Sequence, residues 1–201
     1  MRKYFVFLLL ITFTTNLSAT EPAWKLEKDK EGIKIYNRAI EGSKLKEYKG
    51  ETIVNASVSQ LVTLFKDISK HDQLFYKCKQ GSTKLQKKVS DNEFYTYMVI
   101  EVPWPATNRD IVTKYVFNKP ESNGTVTIDL NAEKNIVPEV KGLVRVPSMK
   151  GYWKFIPLTN GQTKVIHQAY SSPGGNVPEA LANNASVDAP FTMLKTLKAM
   201  Y

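Results

Sequence analysis

The feature that most restricts the fold is a change of period near the C-terminus. Apart from a stretch near residues 57–75, the chain from Trp24 to Ser172 reads mostly as short strand-like runs and turns; then "EALANNASVDAPFTMLKTLKAM" keeps a helical period almost to the end. One long terminal helix after many strands has nothing to bury its apolar side against except the sheet. The expected class is therefore α+β, with the helix laid across a strongly curved antiparallel sheet. Asn176 is placed to cap this helix, and Pro178 suits its first turn. Pro190 lies in the interior, where it removes a backbone donor, and predicts a kink.

The strands can be read individually. "WKLEKD" and "GIKIYNR" flank a charged turn and "KLKEYKGETIV" follows, so the chain opens with three strands. Val58, Leu61, Val62, Phe65 and Ile68 then adopt helical spacing, with Ser57 and Gln60 as a capping box, which predicts a short helix or helix pair over 57–75. Further strand-like runs are "GSTKLQKKV", "EFYTYMVIEV", "DIVTKYVFN", "GTVTIDLNA", "GYWKFIPL" and "KVIHQAYS". Asn123-Gly124 and Asn160-Gly161 predict type I′ hairpin turns, which need positive φ at both central residues. No internal repeat or low-complexity linker divides the chain.

The first residues are of another kind. Arg2 and Lys3 precede "YFVFLLLITF", too short to span a bilayer, and the small polar "TTNLSAT" follows. This pattern predicts a signal peptide over 1–19, cleaved near Ala19, and a domain over 20–201 that works in the periplasm or is secreted; an uncleaved anchor is the alternative. No cysteine lies at that junction, which disfavours a lipoprotein anchor. The lone Cys78 has no intramolecular disulfide partner and reads as a packed core thiol.

Charge and motifs narrow the chemistry. The formal charge is +9, but the lysines are scattered and no helix-turn-helix, zinc-finger or RNP-like pattern accompanies them, so nucleic acid is not an expected partner. His71 and His167 are far apart in sequence and have no metal-ligand spacing, and no GxSxG elbow is present. No catalytic constellation, metal or cofactor is expected; Gly174 and Gly175 read as a strand-to-helix turn. Nothing in the sequence sets an oligomeric state.

What lies beneath the helix is a separate question. Ala182, Ala185 and Ala189 sit beside Leu181, Phe191 and Leu194, and the strands offer Tyr95, Tyr97, Tyr115, Trp153, Phe155 and His167. Small residues facing large ones either leave a hollow or interdigitate into a solid core. Trp104, between Pro103 and Pro105, raises a related choice: it packs on the sheet edge, or it belongs to a gate.

Three stretches, "VPWPATNRDIV", "GYWKFIPLTNGQTKV" and "SPGGNVPEALANNASVDAPFTMLKTLK", in this order, together with "LFKDISKHDQLFYKCKQGSTKLQ", resemble the START (StAR-related lipid-transfer) domain from Trp24 to the C-terminus. The resemblance implies a helix-grip fold: a curved antiparallel sheet wrapped around the C-terminal helix and enclosing a tunnel for one lipid-like molecule. It also implies an omega-type loop at the tunnel mouth, where Pro103, Trp104 and Pro105 form a stiff lip meeting the helix. Arg109 and Asp110 would lock the loop base by pairing with a carboxylate, carbonyls or amides. Sterol-binding relatives can carry a buried arginine near Tyr115, where this chain has a neutral phenol.

The function expected on this basis is binding, with possible transfer, of a lipid or other hydrophobic small molecule, with transient contact to a membrane surface and gating by the Pro103–Asn108 loop and the final helix. The expected ligand contacts are Tyr95, Tyr97, Trp104, Arg109, Tyr115, Trp153, Phe155, His167, Ala185 and Phe191. A cyclase- or hydrolase-like enzyme with His167 as base, and a basic membrane-surface adaptor, stay open as alternatives.

Overall fold

The computed structural model describes residues 22–201; the expected signal peptide lies outside the described residues. Strands β1 (Lys25–Lys30) and β2 (Ile33–Ala39) meet at a turn in which Glu31 and Gly32 both have positive φ, followed by β3 (Lys46–Val54). Helix α1 (Val58–Lys66) starts with the expected capping box: the Gln60 N–H donates to the Ser57 side chain, and the Gln60 side chain accepts from the Ser57 N–H. A single 3₁₀ turn and the short α2 (His71–Leu74) complete the helix pair.

The second group of strands is β4 (Lys84–Ser90), β5 (Glu93–Ile100), β6 (Arg109–Phe117), β7 (Val126–Ala132), the two-residue β8 (Val144–Arg145), β9 (Ser148–Pro157) and β10 (Thr163–Ser172). Helix α3 (Glu179–Ala199) ends the fold. The ten strands form one sheet in the order β1-β2-β3-β10-β9-β7-β6-β5-β4, with β8 paired in parallel beside β6. All the other pairings are antiparallel, and β10 lies between β3 and β9, bringing His167 opposite Gly50 and Trp153.

Four local expectations met different outcomes. At Asn160-Gly161 both residues have positive φ. At Asn123-Gly124 only the glycine does: Gly124 donates to Glu121 O, Glu121 to Thr125 O, and the Asn123 side chain accepts from the Thr125 N–H. That side-chain bond holds Asn123 in an ordinary turn conformation, so a three-residue loop with one left-handed glycine replaces the type I′ turn. Asn176 does not cap α3. Pro178 is the capping residue, two positions after Asn176, and its carbonyl accepts from Leu181 and Ala182. The helix continues unbroken through the buried Pro190.

The two halves of α3 pack differently. In the C-terminal half, Leu194 and Leu197 are fully buried against β2 and β3, each removal from water contributing about 1.5–3 kcal/mol. Contact is closest at Gly50, where an added Cβ would lie 2.6 Å from Leu194 Cδ1. Helix α1 covers another part of the same sheet face, with Phe65 at 4.9 Å from Trp153 and 5.4 Å from Phe155 between ring centroids. The N-terminal half of α3 presents Ala182, Ala185, Ser186 and Ala189, which reach less far toward the strands.

Candidate functional site

The mismatch between large and small residues leaves a cavity of about 260 Å³ between the N-terminal half of α3 and the sheet. Leu130, Met149 and Ala169 form its apolar middle, and Met98, Ile100 and Ile111 extend it toward β5 and β6. Its polar wall groups are the hydroxyls of Tyr48, Tyr76, Thr113, Tyr115, Ser171 and Ser186 and the imidazole of His167. Lys46 stands at the rim, with a half-exposed side chain and its ammonium 3.8 Å from Glu27.

His167 is the most constrained of these groups. Its Nδ1 is 3.0 Å from the Tyr152 carbonyl, which can only accept, so Nδ1 carries the proton. Nε2 is then the acceptor for the Tyr48 hydroxyl at 2.8 Å. The ring stacks flat on Trp153, with centroids 3.9 Å apart and planes at 3°. Burial disfavours the imidazolium and lowers the pKa to about 4, which the bond to Tyr152 only partly offsets. A neutral ring with its lone pair already occupied is a poor general base. Burial likewise pushes the Tyr48 and Tyr115 phenols upward, so both stay protonated.

Of the ten residues singled out in the sequence, Tyr115, His167 and Ala185 line this cavity. Trp153 and Phe155 point to the same sheet face but lie fully buried beneath α1. Phe191 turns toward β1, with the Lys28 ammonium 3.9 Å from its ring centroid. Tyr95 and Tyr97 lie on the opposite face of β5, away from the cavity: Lys87 and Lys114 approach the Tyr95 ring, and Asp110 neighbours the Tyr97 hydroxyl. Strand parity decides this, because Phe94, Thr96 and Met98 occupy the inner face.

Arg109 and Trp104 also lie outside the cavity wall. Trp104 is 91% exposed and packs neither on the sheet edge nor against α3, so the expected lip on the helix does not form. The loop is held from its base instead: the Asn108 side chain accepts from Val102 N–H, and Arg109 donates to Thr107 O. Arg109 also donates to Pro173 O at 3.4 Å and Gly174 O at 3.2 Å, tying the loop base to the connection that leads into α3. Asp110 pairs in bidentate fashion with the buried Arg145, at 2.8 and 2.9 Å. Arg145 in turn donates to the carbonyls of Lys134, Val137 and Pro138. Cys78 is half-buried and donates to Asp72.

Several cavity residues escaped the sequence reading. Tyr48 shares the inward parity of Gly50, Thr52 and Val54, a signal that the surrounding lysines and glutamates obscure. Thr113, Leu130 and Met193 carry no local mark at all. Arg145 sits in a two-residue strand too short to be read.

A sheet gripped along one face by a terminal helix, with an apolar hollow between them, is the helix-grip class of fold. The chain belongs to the START domain family, whose model matches residues 10–200. It is 39% identical over 176 residues to an uncharacterized protein of Pseudomonas aeruginosa, covering 88% of this chain and 85% of that one. It is 25% identical over 186 residues to the mouse phosphatidylcholine transfer protein, covering 87% and 81%. Among solved structures it resembles the STAR-related lipid transfer protein of Xanthomonas axonopodis, with a TM-score of 0.81 at 36% identity over 88% of this chain and 97% of that one. These likenesses support lipid binding or transfer as the general activity of the family.

Proposed function

We propose that the protein binds one hydrophobic small molecule of lipid type in the cavity under α3 and carries it between surfaces. The wall carries this reading: apolar side chains with a few uncharged polar groups, roofed by alanines where the rest of α3 packs tightly. Each methylene buried there contributes about 0.8 kcal/mol, so a medium-length chain offsets much of the cost of immobilisation. The named lipid-transfer relatives point the same way. Exchange then needs the N-terminal half of α3 to lift. Arg109, bonded to both Thr107 and Gly174, couples that lift to the Pro103–Asn108 loop.

In this reading Trp104 enters the membrane interface during exchange, where an indole is favoured, and the positive charge of the chain favours an anionic surface. Residues 1–19 act as an export leader, so the carrier works in the periplasm or outside the cell. The test is transfer of pyrene-labelled single- and two-chain lipids from donor to acceptor vesicles. Transfer of at least one lipid should rise in proportion to added protein and be lost on filling the cavity with Ala185→Trp. Rates no higher than spontaneous exchange for every lipid, with none retained by the protein, would refute it.

A further inference from the structure

We infer that Tyr48 and Ser186 form a hydroxyl-reading pole inside the cavity, and that the guest is an uncharged, single-chain amphiphile carrying a hydrogen-bond donor such as an alcohol or amide N–H. This rests on the carrier reading above and specifies its cargo.

The donor requirement follows from counting protons. The Tyr152 carbonyl fixes the His167 proton on Nδ1, so the Tyr48 hydroxyl proton is committed to Nε2 at 2.8 Å. Tyr48 therefore has only lone pairs left for a guest. Ser186 lines the same wall, and its Oγ donates to Asn183 O at 2.7 Å. The Asn37 amide lies 2.8 Å from that oxygen; whichever way it is turned, the single serine proton is used within the protein. Both groups therefore face the guest with lone pairs only, and a guest that brings only acceptors sets lone pair against lone pair in an apolar enclosure, which is unfavourable.

The absence of charge follows from the wall. No cationic side chain among the described residues lines the interior: Arg109 is engaged by carbonyls outside it, and the one lining lysine, Lys46, is at the rim beside Glu27. A phosphate or carboxylate at this pole would be desolvated without a counter-ion. Size favours one chain, since about 260 Å³ lies just below the range of pockets that enclose drug-sized ligands, well short of a two-chain lipid. At the other end of the cavity, on β6, four strands along the sheet from β3, the hydroxyls of Thr113 and Tyr115 can donate or accept and impose no such choice.

The experiment is calorimetric titration of lipid-stripped protein with four probes of one chain length: 1-decanol, decyl methyl ether, decyl phosphate and n-decane. Decanol should bind about fivefold tighter than the ether, the value of one hydrogen bond, and decyl phosphate should be the weakest of the three polar probes. Because Tyr48→Phe alone would free His167 Nε2 as a substitute acceptor, Tyr48→Phe is combined with His167→Phe, which should bring decanol down to the ether's affinity while leaving the ether unchanged. Ser186→Ala gives a second reading if that double variant melts at a much lower temperature. Equal affinity for alcohol and ether, or an alcohol preference that survives both the double variant and Ser186→Ala, overturns the inference. Tightest binding of decyl phosphate, lost in Lys46→Gln, also overturns it in favour of an anionic head at the rim, while leaving the carrier reading intact. Binding of none of the four probes would remove both.

Discussion

Replacing Ala185 with leucine separates a hollow from a packed core by the sign of its effect on stability. Ala185 lines the cavity, so the three added carbons would enter space that no side chain occupies. At about 0.8 kcal/mol per buried carbon the gain is roughly 2.4 kcal/mol. Side-chain ordering subtracts about 0.5–1 kcal/mol for leucine, leaving a net stabilisation of roughly 1.5 kcal/mol, or about 3–6 °C in Tm for a chain of this size. The assay is scanning calorimetry on lipid-stripped protein, with decanol titration on the same samples. Ala185→Leu should melt higher than the parent and bind more weakly, because the leucine occupies the space of the guest. If the interior were already filled, the same change would overpack it and destabilise by about 1–3 kcal/mol. A lower Tm with unchanged ligand affinity would therefore refute the placement of the cavity under this part of α3.

Other consequences are accessible to simple measurements. Asp110→Ala strands the buried Arg145 guanidinium and should cost about 3–5 kcal/mol, read as a reduced urea midpoint. Arg109→Ala should raise amide hydrogen exchange together in 101–108 and 173–178, since one guanidinium bonds both segments; exchange that rises in only one of them would deny the coupling. Trp104→Ala, at an exposed tip, should change stability by less than about 0.5 kcal/mol yet weaken sedimentation with anionic vesicles. His167 is buried neutral with its pKa lowered from 6.5 to about 4, and burial lowers that of His71 in the same direction. The unfolded chain therefore takes up protons first, and stability present above pH 6.5 should fall as pH drops toward 4, by about 3 kcal/mol from His167 alone. Tm measured against pH should show this loss, and His167→Gln should flatten it.

The strand succession, the capped helix pair and the terminal helix were legible because each has its own period or its own turn chemistry. The alanines of α3 marked where a hollow could form, but their sequence alone did not separate a hollow from a solid core. Which strand residues face it was harder to read. On β5 both parities are apolar or aromatic, Phe94 and Met98 on one side and Tyr95 and Tyr97 on the other, so alternation could not say which face is inner. On β9 the parity of Trp153 and Phe155 was readable, but their cover is Phe65 of α1, a long-range contact with no sequence trace. The Arg-Asp pair was recognisable as a lock. The Arg145 that completes it lies 35 positions from Asp110, and only the fold brings it there.

Native mass spectrometry of the protein purified from a lipid-containing host tests the carrier role most directly. The expected spectrum shows a fraction of molecules carrying one non-covalent adduct of single-chain lipid mass, released on mild activation and absent from Ala185→Trp. Bare protein in repeated preparations, with no adduct after incubation with any of the decyl probes, would contradict it.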